Sequence, residues 1–197
     1  MTDLGPKFRE TTQAAEGLPR LRWSVADIDR LMLAGVIGED DRIELLGGEF
    51  VPMSAKGPLH EDLRMALNSW FRRNLPEGVD YAPELGWRPD AYTYCEPDFA
   101  LHEPVKSPSL MAPAKVLLLI EIADSSEKKD LDIKSALYAG LGVREYWTIR
   151  AGTLLTRVHR QPGPQGYADV AELLGTDWLR PALLPSVNIR LADFDIA

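Results

Sequence analysis

Two carboxylates and one lysine stand out by type and spacing. In "VLLLIEIA", residues 116–123, Glu121 interrupts an otherwise aliphatic run. Strand side chains alternate between faces, so Val116, Leu118, Ile120 and Ile122 share one face while Leu117, Leu119, Glu121 and Ala123 share the other. An ionised carboxylate buried among aliphatics is costly unless a cation meets it, and a metal ion, an arginine or a lysine would serve. The plainer reading sets Glu121 at the wet carboxyl end of its strand. Two features speak for more. Asp98 follows Pro97 in "EPDFAL", where the next strand can present a second acid, and the helix after Glu121 carries Asp130, Lys134 and Tyr138 at i, i+4 and i+8 on one stripe. An isolated Asp–Lys pair of this kind is a solvated ion pair worth a few tenths of a kcal/mol. Two acids with a lysine beside them are different: the acids hold a hard divalent cation through oxygen, and the lysine orients or deprotonates water or stabilises a phosphoryl oxyanion.

Other signals are plainer. His60 opens a helical segment, as a ligand or acid, or as a cap or polar surface residue. Tyr138 either touches substrate or is a partly buried aromatic with a bonded hydroxyl. Asp124, Ser125, Ser126 and Glu127 suit a helix cap, and no G-x-S-x-G elbow makes either serine a nucleophile. His102 and His159 lack a helically spaced histidine partner for zinc. Neither a G-x-x-x-x-G-K-[ST] loop nor a strand-linked G-x-G-x-x-G occurs. Arg64, Arg72, Arg73, Lys128, Lys129 and Arg144 either rim a cleft or solubilise a face.

The elements that must position these groups follow from pattern. "SVADIDRLMLAGV" reads as a short helix capped by Ser24, and "DRIELLGGEFVPM" as a hairpin turning at Gly47 and Gly48. "HEDLRMALNSWFRR" is a helix with Leu63, Leu67, Trp70 and Phe71 on one stripe. "VDYAPELGWRP" and "YTYCEPDFALHE" are strands, and "VLLLIEIA" is a central strand covered on both faces. A helix over 126–141 follows, with Ile133, Leu137 and Leu141 as its core stripe, Lys134 at the edge, and glycines 140 and 142 closing it. "REYWTI" and "TLLTRVHR" are the next strands, around Gly152, and the remainder supplies edge structure. The fold class is α/β (α+β), a mixed central sheet flanked by helices.

The chain has 197 residues, a net charge of −8 and one cysteine, Cys95. The length suits one domain, expected over 24–197, after a flexible N-terminal arm over 1–23. A lone cysteine suits a reducing compartment, so a cytoplasmic protein is expected. No apolar stretch approaches membrane-spanning length, and the acidic balance argues against indiscriminate adhesion to nucleic acid or anionic lipid.

"PD" at 97–98, "EIADSS" at 121–126, D-x-x-x-K-x-x-x-Y at 130, 134 and 138, and "GVREYW" at 142–147 resemble the Uma-type endonucleases of the PD-(D/E)XK nuclease superfamily. "RIELLGGEFVPMS" and "GPLHEDLRMAL" resemble that family's first hairpin and its histidine-led helix. The resemblance implies a restriction-endonuclease-like core that hydrolyses DNA phosphodiester bonds with Mg²⁺ (or Mn²⁺). Asp98 and Glu121 would be metal ligands, joined by the Ile122 carbonyl and by Glu44. The superfamily's usual lysine position is Ala123 here, so the amine role falls to Lys134. Arg150 replaces an aspartate common after "EYW", a change expected to affect turn shape. A homodimer is the expectation for cutting two strands. The alternative is a non-catalytic nucleic-acid or protein-binding module that keeps the nuclease fold.

Overall fold

A computed structural model describes residues 11–12, 20–38, 40–123 and 129–196, without the side chains of 11, 12 and 129–131. Most of the expected N-terminal arm and the expected cap at 124–127 lie outside the described residues. In chain order the elements are β1 (Thr11–Thr12), β2 (Arg20–Leu21), α1 (Val25–Leu33), β3 (Ile43–Leu46), β4 (Glu49–Pro52), α2 (Pro58–Asn74), β5 (Asp80–Pro83), β6 (Trp87–Asp90), β7 (Thr93–Cys95), β8 (Phe99–His102), β9 (Val116–Ala123), α3 (Ser135–Gly140), β10 (Glu145–Arg150), β11 (Thr156–Gly163) and β12 (Gly166–Leu173). They fall into two compact units, Met1–Met53 with Asp90–Cys95, and Ser54–Pro89 with Glu96–Ala197. Among the described residues no helix is long and apolar enough to cross a membrane.

In the smaller unit, α1 starts with the expected cap. The Ser24 amide donates to Asp27 Oδ2 at 3.0 Å and the Asp27 amide to Ser24 Oγ at 3.3 Å, a reciprocal capping box. β3 and β4 form the expected antiparallel hairpin, with Gly47 at φ +61° and Gly48 at φ +99°. Two successive positive φ values are what a type I′ hairpin turn requires. A Cβ on Gly48 would also run into the Arg22 side chain, whose guanidinium carbon stands 3.6 Å from the centre of the Tyr92 ring.

The larger unit is built on a six-stranded sheet in the order β12-β11-β10-β9-β8-β5. β9 and β10 run parallel and the other neighbours antiparallel, so the sheet is mixed. All eight residues of β9 are buried, as a near-continuous apolar run implies, Glu121 included. Leu63, Leu67 and Phe71 of α2 pack against Phe99, Leu101, Leu118 and Ile120 on one face, with Trp70 half-buried beside them. Each expected strand of 79–89 and 92–103 splits in two. Glu84 adopts φ +47°, and Pro97 has no N–H to continue a ladder. The edge structure expected after residue 160 is β12, which pairs with β11.

The helix after β9 differs from expectation. Lys129–Lys134 form a π-helical turn before α3, and Ile133 is 50% exposed while Lys134 and Tyr138 are buried. The core stripe is therefore Lys134 and Tyr138 rather than Ile133, Leu137 and Leu141. Tyr138 packs edge-on to Tyr146 of β10 at 5.1 Å, and Lys134 faces a carboxylate. Those contacts outweigh aliphatic burial, and the extra residue of a π-turn shifts the helix phase to allow them. The C-terminus is a Schellman motif, with Val143 N–H donating to Tyr138 O at 2.9 Å and Gly142 N–H to Ala139 O at 3.0 Å. Gly142 sits at φ +81° with open space around a would-be Cβ, so Gly142→Ala should cost about 1 kcal/mol through backbone conformation alone. Urea denaturation measures it; a neutral substitution would contradict the motif.

His159 of β11 stacks on Tyr146 at 5.3 Å, and its Nε2 is buried with no partner. Burial, helped by the Arg157 charge, pushes its pKa down to about 4 from an ordinary 6.5. The unfolded chain therefore binds a proton between those values that the fold does not. Stability should fall as pH drops from 6.5 to 4, by about 1–2 kcal/mol allowing for solvent screening near the surface. His159→Phe should remove this slope from thermal melts taken across that range.

Candidate active site

Glu121 is the sixth residue of β9 and is 3% exposed, so it is not a solvated strand end. Lys134 Nζ donates to Glu121 Oε1 at 2.8 Å, and the Tyr138 hydroxyl donates to the same oxygen at 3.0 Å. Both donors come from one helix face, four residues apart, which is the spacing that stacks side chains along a helix. The pair is buried on both sides. A buried ammonium and carboxylate offset each other's desolvation only when their geometry is good, as it is here.

Asp98 immediately precedes β8. The β8–β9 register sets Phe99 opposite Ile120, and one residue further it runs Asp98 alongside Glu121. The Asp98 carboxylate accepts three hydrogen bonds. Its Oδ2 accepts from the Ile122 amide at 2.7 Å and from His60 Nε2 at 3.2 Å, and its Oδ1 accepts from Lys56 Nζ at 3.1 Å. Lys56 also donates to Glu84 Oε1 at 2.6 Å, and Arg64 bridges Glu84 and Glu61. Burial alone would raise the pKa of Asp98, but His60, Lys56 and the Ile122 amide outweigh it and hold the carboxyl below its ordinary range. For Lys56, burial lowers the pKa, and the Asp98 and Glu84 carboxylates more than reverse that. Asp98 thus contributes stability above the ordinary aspartate range, lost as pH falls through its depressed value. The Lys56 contribution is complete below the ordinary lysine range and is lost as pH rises through its raised value.

His60, the third residue of α2, is buried against Asp98 rather than exposed as a cap. Since an ionised carboxylate only accepts, Nε2 carries the hydrogen of that contact. Its Nδ1 makes no hydrogen bond, with Glu61 Oε1 at 3.4 Å. Asp98, Glu121, Lys134, Tyr138 and His60 all lie in the larger unit. Glu44 is fully buried on β3 of the smaller unit, and the Asp130 side chain lies outside the described residues. Of the arginines considered for a basic rim, Arg64 joins the Asp98 network, whereas Arg144 donates to the Ala114 carbonyl at 3.1 Å, just before β9 begins.

Sequence reasoning missed Lys56. The available signal was a cation directly before the first turn of a helix, where the helix dipole disfavours positive charge. Such a lysine needs a carboxylate to hold it, and Asp98 and Glu84 do so. Glu145 is a useful contrast: this buried carboxylate accepts from Arg160, Trp147 Nε1 and the Ala182 amide, which fasten the C-terminal segment to β10.

As a donor set, two buried carboxylates suit a hard cation that keeps several waters, as Mg²⁺ does when one or two carboxylates bind it. Among the described residues no three His, Cys, Asp or Glu side chains gather into a metal cage.

A family model described as "Uma2: Putative restriction endonuclease" matches residues 26–192. The solved structure of "a putative nuclease belonging to DUF820 from Anabaena variabilis ATCC 29413" aligns with a TM-score of 0.59 at 12% identity, covering 82% of this chain and 94% of that one. At that identity the likeness is one of fold. No curated protein matches the chain.

Proposed function

Because this chain belongs to the Uma2 family of restriction-endonuclease-like proteins, we propose that it is a metal-dependent nuclease hydrolysing DNA phosphodiester bonds at Asp98 and Glu121. The observation that carries the reading is the buried Lys134–Glu121 pair, set on the strand beside Asp98. A bound Mg²⁺ or Mn²⁺, held by the two carboxylates and the Ile122 carbonyl, would polarise the phosphate and make hydroxide accessible near neutral pH.

The remaining roles belong to the chain. Lys134 holds a proton at Nζ, 2.8 Å from Glu121 Oε1, and would orient an attacking water there. Tyr138 fixes the Glu121 rotamer by donating to Oε1. His60 and the Ile122 amide fix Asp98, as outer partners of a ligand do. The displaced lysine, absent at Ala123, returns at the end of the π-helical turn before α3 to the carboxylate it serves. Glu44 enters as a further acid on the family resemblance alone, and a Glu44→Gln variant reads its role separately. Cutting both strands would use two copies of the chain in the cytoplasm, an association that sedimentation measures.

A second reading is supported by the same contacts. Lys56 and Lys134 already neutralise the carboxylates, as they would in a non-catalytic binding module that keeps the fold. Supercoiled plasmid incubated with the protein in Mg²⁺ or Mn²⁺, with and without chelator, separates the two. The nuclease reading expects nicked or linear product that chelator abolishes. DNA retention without any product would favour the binding module.

A further inference from the structure

The strand register aligns Glu121 of β9, Thr148 of β10, Arg157 of β11 and Glu172 of β12 in one row across the sheet. Paired residues on neighbouring strands present side chains to the same face, so Thr148 and Arg157 continue the face that carries Glu121. Thr148 is 2% exposed, and its hydroxyl is buried with no hydrogen-bond partner. Buried hydroxyls are ordinarily paired, and one left open beside a candidate reaction centre calls for a reason. Thr148 lines a small cleft with Arg150, Leu155, Arg157 and Glu172, which now has room for about one water molecule.

We infer that Thr148, Arg150 and Arg157 form a subsite for a backbone phosphate of the nucleic acid, flanking the phosphate cleaved at Glu121. The inference rests on the nuclease reading for its substrate. Strands lie about 5 Å apart, so Thr148 stands one strand from the acid and Arg157 two, about 10 Å away, which suits a neighbouring phosphate. Arg157 now holds Glu172 through Nη2 at 2.7 Å, and that pair is substantially exposed. Exposed pairs are weak, so a phosphodiester can replace the Glu172 carboxylate at little cost. The guanidinium then meets phosphate oxygens with its planar fork, and the Thr148 hydroxyl reaches the phosphate through the one water that the cleft can hold. Arg150 adds a second cation near Glu172, whose pKa both arginines lower.

The test is fluorescence anisotropy with a labelled duplex of about 20 base pairs, in EDTA and again in Ca²⁺. Arg157→Ala and Arg150→Ala should each weaken binding about tenfold and reduce the salt slope by about one. Thr148→Val should weaken it several-fold with the slope unchanged, because a neutral hydroxyl releases no counterion. Thr148→Val should also melt at or above the wild type, since it removes an unpaired buried hydroxyl, so weaker binding cannot be read as misfolding. Wild-type affinity in all three variants, or no duplex binding by the wild type, overturns the subsite. Weakened binding with no plasmid cleavage in Mg²⁺ would keep the subsite and remove only the nuclease reading. Unchanged binding with cleavage that Glu121→Gln abolishes would do the reverse.

Discussion

Replacing Lys134 with methionine should destabilise the protein by about 3–5 kcal/mol, because it leaves the Glu121 carboxylate buried without its cation. At this chain length each kcal/mol moves the melting temperature by about 2–4 °C, so a drop of about 6–20 °C is expected. The expectation rests on an asymmetry. A buried pair adds little over a well-packed neutral one, but half a pair is expensive. The double variant Lys134→Met/Glu121→Gln should therefore recover most of the loss, since Tyr138 can still donate to the side-chain amide oxygen that takes the place of Oε1. Denaturant titration of the four members of this cycle measures the coupling. If the two single losses simply add in the double variant, Lys134 and Glu121 do not interact as described. Solvated pairs on a helix surface would show coupling of only a few tenths of a kcal/mol.

The second large effect is on activity. Asp98→Asn keeps the shape of the side chain but removes the charge that Lys56, His60 and the Ile122 amide are arranged to hold. If Asp98 is a metal ligand, the variant should lose cleavage by about 10³-fold or more, the scale of several kcal/mol of transition-state stabilisation. His60→Asn, which disturbs only an outer partner of Asp98, should lose about 10–100-fold, and excess metal should partly restore it. Plasmid cleavage rates measured across Mg²⁺ concentration distinguish the two. Equal losses in both variants, with no response to metal, would mean that His60 acts on the substrate itself.

Much of this arrangement could be read in the sequence, and the rest failed for physical reasons. The apolar run around Glu121 identified a buried strand, and the i, i+4 spacing of Lys134 and Tyr138 put both on one helix face. What the pattern could not give was the phase of that helix. Ile133, Leu137 and Leu141 look like a core stripe, yet a π-helical turn and a buried ion pair rotate Ile133 outward. A hydrophobic count misreads any helix whose buried face is polar, because it assumes that burial follows hydropathy. His60 shows the same limit. Its type and its place at a helix start fit a cap, and only the path of the chain after α2 brings Asp98 to it. Lys56 and Glu84 lie in connections, where alternation and helical period say nothing about tertiary partners. The division of the second long strand segment was signalled more plainly, by Pro97.

The proposed reaction centre is a divalent-metal site formed by Asp98 and Glu121 and served by Lys134. Mn²⁺ binding, followed by the loss of the free-ion paramagnetic resonance signal, tests it without depending on a substrate. The wild type should bind at millimolar Mn²⁺ or below, in competition with Mg²⁺, and both Asp98→Asn and Glu121→Gln should abolish the binding. Retention of wild-type Mn²⁺ binding in either folded variant, or no binding by the wild type, would contradict it.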